Sequence, residues 1–83
     1  MSVDLLGAEG KARVLADLLA SLQEQAYRIA LLKDANGAAD NEIVPGEKFS
    51  YGERLTELDA AQERLLDAAD SEVMTEIRRL SNG

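Results

Sequence analysis

Leu15, Leu18, Leu19, Leu22, Ala26 and Ile29 recur at spacings of three and four near the start of the chain. That period places them on one face of a helix and predicts an α-helix over about residues 8–33. Ala, Leu, Gln, Glu and Arg dominate the stretch, and no Gly or Pro falls between Lys11 and Asp34. Glu9–Arg13 and Glu24–Arg28 are acid-first i,i+4 pairs, a helix-supporting arrangement. Lys33 complements the dipole at the expected end, and Asn36-Gly37 offers a residue that takes positive φ without strain.

From about residue 34 to 52 the period disappears, and Gly, Pro, Asn, Asp and Ser punctuate the chain. Glu42-Ile43-Val44 and Lys48-Phe49-Ser50-Tyr51 flank Pro45-Gly46, a pair suited to the centre of a type II turn. Two outcomes are open here. One is a small β-hairpin; the other is an irregular loop in which Ile43, Val44 and Phe49 fold back over the helix ends.

The helical period returns over about residues 53–80, where Leu55, Leu58, Leu65, Ala69, Val73 and Leu80 line one face with Gln62 among them. Ser50-x-x-Glu53 and Thr56-x-x-Asp59 compete as capping boxes for its start. Arg78 and Arg79 precede the closing Asn82-Gly83. The expected fold is therefore all-α: a single domain over residues 1–83, an antiparallel helical hairpin with a long connecting loop.

Composition narrows the chemistry. The 83 residues contain no His and no Cys, which removes the usual zinc, haem and iron–sulfur ligand sets, disulfides, His bases and Cys nucleophiles. With 9 basic and 16 acidic residues the net charge is −7, which argues against nucleic acid or an anionic membrane as partner. The first residues, Met1-Ser2-Val3-Asp4-Leu5-Leu6-Gly7, carry no basic region, and charged residues interrupt the Leu-rich stretch that follows. A cytoplasmic setting is the expectation.

Three segments resemble chemical sites and fail on residue identity, spacing or placement. Gly10-Lys11 lacks both the earlier glycine of a phosphate loop, since Leu5 stands there, and the hydroxyl residue, since Ala12 follows. Asp34 to Glu42 holds many oxygen ligands, but a calcium loop counted from Asp34 puts Ala39 at the glycine position and Pro45 at the closing glutamate. Asp59, Glu63 and Asp67 form an i,i+4 carboxylate column with Asp70 beside it, outside any pocket that two helices could enclose. No cofactor, metal site or enzymatic activity is expected.

Two surfaces are candidates for partner binding. Between Glu53 and Glu76 eight acids face only Arg54 and Arg64, so Asp59, Glu63, Asp67 and Asp70 could dock a basic protein surface. The other lies on the first helix. Taking Leu15 as 0°, Leu22, Ala26 and Ile29 fall within about 40°, whereas Ala16, Ala20, Tyr27 and Leu31 cluster at about 100–160°. One returning helix cannot cover both stripes. A chain this short, without disulfide or metal, also usually needs association to be stable. These two facts lead to a homo-oligomer, or a member of a larger assembly, built on helix–helix or coiled-coil contacts.

Phe49-Ser50-Tyr51-Gly52-Glu53-Arg54-Leu55-Thr56-Glu57-Leu58-Asp59 and Gln62-Glu63-Arg64-Leu65-Leu66 resemble a pattern of small phage head-morphogenesis and head–tail joining proteins. In that pattern a helix leads to an aromatic–Gly–Arg hairpin and then to a Thr-capped helix rich in Leu and Arg. The resemblance covers about 20 residues. The long Asp34–Glu47 insertion and the acidic second helix depart from it. It implies a structural protein of a virion or of its assembly. The alternative expectation is a small acidic inhibitor or antitoxin-like protein that covers a basic surface.

Overall fold

The computed structural model describes residues 7–82 of the chain, and their side chains as far as Leu80. The reading of the first six residues as free of a targeting signal, Leu5 in the phosphate-loop comparison, and Gly83 as a helix stop all lie outside the described residues. Three helices account for well over half of the chain: α1 (Ala8–Ala35), α2 (Tyr51–Asp67) and α3 (Ser71–Asn82). The protein is all-α, and no strand forms among the described residues.

The 28 residues of α1 follow the expected period and end where Asn36-Gly37 permits. Gly37 takes φ 58°, its N–H donates to the Asp34 carbonyl at 3.1 Å, and the Ala38 N–H donates to the Lys33 carbonyl at 3.0 Å. This is a Schellman closure, which satisfies two carbonyls the last turn leaves open. Both exposed i,i+4 pairs form, Glu9–Arg13 at 3.2 Å and Glu24–Arg28 at 2.9 Å.

The connection folds back on itself. Pro45-Gly46 occupies a type II turn in which the Glu47 N–H donates to the Val44 carbonyl at 2.9 Å and Gly46 takes φ 81°. Ile43 and Ser50 make one isolated antiparallel bridge, flanked by hydrogen bonds of 3.0 Å from Val44 N–H to Phe49 and from Tyr51 N–H to Glu42. A ladder this short has no second side to pack against, so it does not extend into strands. Of the three apolar loop residues, Val44 is buried and Phe49 half-buried, while Ile43 points outward. Adjacent residues at the bridge face opposite ways, so Ile43 and Val44 cannot both turn inward.

Ser50, not Thr56, starts the second helical limb. Its hydroxyl accepts from the Glu53 N–H at 3.1 Å. The next residue, Tyr51, is 1% exposed, and its hydroxyl accepts from Asn36 Nδ2 at 3.1 Å, tying the start of α2 to the end of α1. The Gly52 N–H donates to the Asp40 carbonyl at 2.8 Å, and a Cβ at Gly52 would stand 3.1 Å from that same oxygen. Arg54 donates to Gln25 Oε1 at 2.9 Å and holds its guanidinium 5.6 Å from the centre of the Phe49 ring.

The single helix expected over about 53–80 is two helices. Ala68 closes α2, and the Asp70 carboxylate accepts from the Val73 N–H at 2.9 Å, which caps α3. The interruption re-aims the apolar face. In an unbroken helix Val73 and Ile77 would drift about 60–100° away from Leu58. Instead both are buried against Ala12 and Leu19 of α1, with Leu15, Leu65, Ala69, Met74 and Leu80 packed around them. Val44, Tyr51 and Leu58 are buried apart from that cluster, toward the loop.

Contacts run in opposite directions along the two limbs. Tyr51 meets Asn36, Arg54 meets Gln25, and Arg79 lies 3.9 Å from Glu9. The molecule measures 44 × 25 × 20 Å, its long axis close to the ~42 Å that a helix of this length spans.

Candidate interaction surfaces

α2 and α3 both pack on α1 and cover it from one side. The remaining side carries the second apolar strip. Tyr27 is 65% and Leu31 50% exposed, Ala20 is exposed, and Ala16 is half-covered. At the amino-terminal half of the strip, Arg13, Ala16, Asp17 and Ala20 form a groove of about 430 Å3 closed on one edge by Leu80 of α3. Thus two small residues floor a depression, and two large residues project a little further along the same face. Leu80 was expected only in the core stripe; its position at the edge depends on the re-aiming of α3.

A second apolar depression, about 350 Å3, lies where Leu18, Leu22 and Gln25 of α1 face Ala61, Arg64 and Leu65 of α2. The sequence reading assigned Leu18, Leu22 and Leu65 to the buried stripe, yet Leu18 is 47% exposed. Ala61 explains this: its methyl group leaves the seam between α1 and α2 underfilled at that level.

Asp59, Glu63 and Asp67 are all exposed on α2, as a column on its outward side. Asp70 is not part of that column, because it lies beyond the end of α2 and its carboxylate is engaged as the α3 cap. The mouth lined by Gly52, Glu53, Thr56, Glu57, Ala60 and Arg64 is an open, mixed-charge surface. Among the described residues no group of three or more acidic side chains is disposed to hold a metal ion, and no buried side-chain polar atom lacks a hydrogen-bond partner.

One cation is held near the loop. Lys33 Nζ lies 2.8 Å from Asp40 Oδ1, and this hydrogen bond, with the carboxylate's charge, raises the ammonium above its usual 10.5. The pair spans the Schellman turn and fixes Asp40, whose carbonyl receives Gly52. It is a structural tie, and no reacting group stands near it.

The residues behind the phage-like pattern have internal tasks. Ser50 caps, Tyr51 fills, Gly52 admits the Asp40 backbone, and Arg54 joins Phe49 to Gln25. Among the described residues no helix is long and apolar enough to cross a membrane. No protein-family model matches the chain, and neither a curated protein nor a solved structure matches it significantly.

Proposed function

We propose that this protein is a non-enzymatic assembly component, an antiparallel helical hairpin that joins other chains through the outer face of α1. The observation that carries this reading is the exposure of Tyr27 and Leu31 in line with Ala16 and Ala20, on a helix whose other side is already covered. Virion assembly is the setting that the resemblance of residues 49–59 and 62–66 to small phage head-morphogenesis and head–tail joining proteins suggests for this role.

A second reading has one observation in its favour. The outward column of Asp59, Glu63 and Asp67 has no basic residue within it and suits a basic protein surface, as an inhibitor or antitoxin-like protein would. Salt separates the two. Light scattering on the eluting protein, from low to high ionic strength, should give a mass above the monomer that persists in high salt if the apolar strip joins the copies. A complex that dissociates as salt rises would favour the acidic face instead.

A further inference from the structure

We infer that the partner of the α1 strip is a second copy of the chain, bound antiparallel about a two-fold axis between Gln23 and Glu24. This rests on the assembly reading above and adds its occupant and register. The spacing along the outer face is symmetric. Arg13, Ala16, Ala20, Tyr27, Leu31 and Asp34 are separated by 3, 4, 7, 4 and 3 residues, so the intervals read the same from either end. The chemistry reverses across the midpoint. Small residues stand in the first half and large ones in the second; a cation opens the series and an anion closes it.

An antiparallel copy in this register sets Ala20 opposite Tyr27, Ala16 opposite Leu31, and Arg13 opposite Asp34, twice each by symmetry. The groove of about 430 Å3 floored by Ala16 and Ala20 then receives the two large side chains of the other copy, with Leu80 as its wall. Parallel pairing offers none of this. It would set Tyr27 on Tyr27, leave Ala16 and Ala20 facing each other over a gap, and place like charges together at both ends.

Charge complementarity agrees. Arg13 is exposed, and its guanidinium pairs with Glu9 at 3.2 Å through one nitrogen, leaving other donors available. Asp34 is exposed and makes no ion pair among the described residues. On either side of the axis each large side chain of one helix meets an alanine of the other, Tyr27 on Ala20 and Leu31 on Ala16, so no level sets two large residues against each other and the helices can approach closely.

The chain has no cysteine, so single introduced thiols report neighbours cleanly. Ala16→Cys and Leu31→Cys are made separately, checked for helicity, and oxidised alone and as a mixture. The antiparallel register puts residue 16 of one copy beside residue 31 of the other, within the 4.4–6.8 Å between Cα atoms that a disulfide needs. Identical positions are roughly 22 Å apart along the helix. The expected result is a disulfide dimer in the mixture, consisting of the mixed pair, and little in either variant alone. A charge exchange provides the second measurement. Arg13→Glu or Asp34→Arg should each weaken dimerisation about five- to tenfold, and the double variant should recover most of the loss.

Strong cross-linking of either variant with itself would overturn the register while leaving assembly through α1 intact. A dimeric mass with no cross-link in any sample would place the contact elsewhere and overturn the inference. A monomeric mass for the unmodified chain at every concentration would overturn self-pairing, leaving only a different protein as the occupant of the strip.

Discussion

Gly52 shows how one missing side chain can locate a whole loop. The carbonyl of Asp40 approaches the first turn of α2 so closely that its N–H bond and the vacant Cβ position are both engaged. In an open helix Gly→Ala stabilises by roughly 0.5–1 kcal/mol. Here Gly52→Ala should instead destabilise by about 1 kcal/mol, because the atoms that must yield are the Cβ and the backbone carbonyl of Asp40, not the far end of a flexible side chain. Thermal melting or urea titration checks the sign; a gain in stability would mean the loop is not docked there. The Lys33–Asp40 pair belongs to the same tie and gives it a pH dependence. The folded-state pKa of Lys33 is raised, so its contribution is complete below the ordinary value of 10.5 and fades as pH climbs through the higher folded value. The melting temperature difference between the natural chain and Lys33→Met should stay constant from pH 7 to about 10 and narrow above 10.5. A difference that instead narrowed below pH 9 would contradict this account.

The break between α2 and α3 is the feature of the elements that sequence periodicity hides. Leu65, Ala69 and Val73 keep a four-residue step across it, and Ala68-Ala69 is strongly helix-forming, so apolar spacing and propensity both read straight through. The trace it leaves is Asp70-Ser71-Glu72, a capping residue followed by an acid in the first turn. Asp70→Ala should cost about 1 kcal/mol, within the usual 0.5–2 for a lost cap. Amide exchange in α3 should quicken more than in α1; uniform quickening would argue that the cap stabilises nothing local. By contrast α1 was legible throughout, since its period, its ion pairs and the Asn36-Gly37 stop are all local. The burial of Tyr51 and Ile77 was not, because one depends on Asn36 fifteen residues away and the other on the re-aimed α3. Of the candidate surface residues, Ala16, Ala20, Tyr27 and Leu31 do share one face of a continuous helix, a property that spacing alone specifies. Asp59, Glu63 and Asp67 do so too, but Asp70 is separated from them by a break that the spacing conceals.

At the scale of the molecule, a helix about 42 Å long is covered on one side by two shorter ones, and the uncovered side is partly apolar. The depressions described above are open to solvent, and among the described residues no three acidic side chains are disposed to hold a metal ion. Zinc, calcium or a nucleotide at modest concentration should therefore leave the melting temperature unchanged. A ligand specific to the folded state at 100 times its Kd would add about 2.7 kcal/mol, an obvious shift in a domain this small. A saturable rise with any of the three would point to a site on the Asp34–Glu42 loop or at Gly10-Lys11. The apolar side of α1 remains the surface with most to gain from a partner: full burial of Tyr27 and Leu31 would contribute roughly 1.5–3 kcal/mol each by transfer from water. The most direct measurement is the light-scattering mass of Ala20→Glu beside the natural chain, with circular dichroism on the same samples. Glutamate is a good helix former, so the spectrum should keep its helical shape while the mass falls from that of an assembly to that of a monomer. An unchanged mass above the monomer in Ala20→Glu, and again in Tyr27→Ala, would contradict the claim that this face of α1 joins one chain to another.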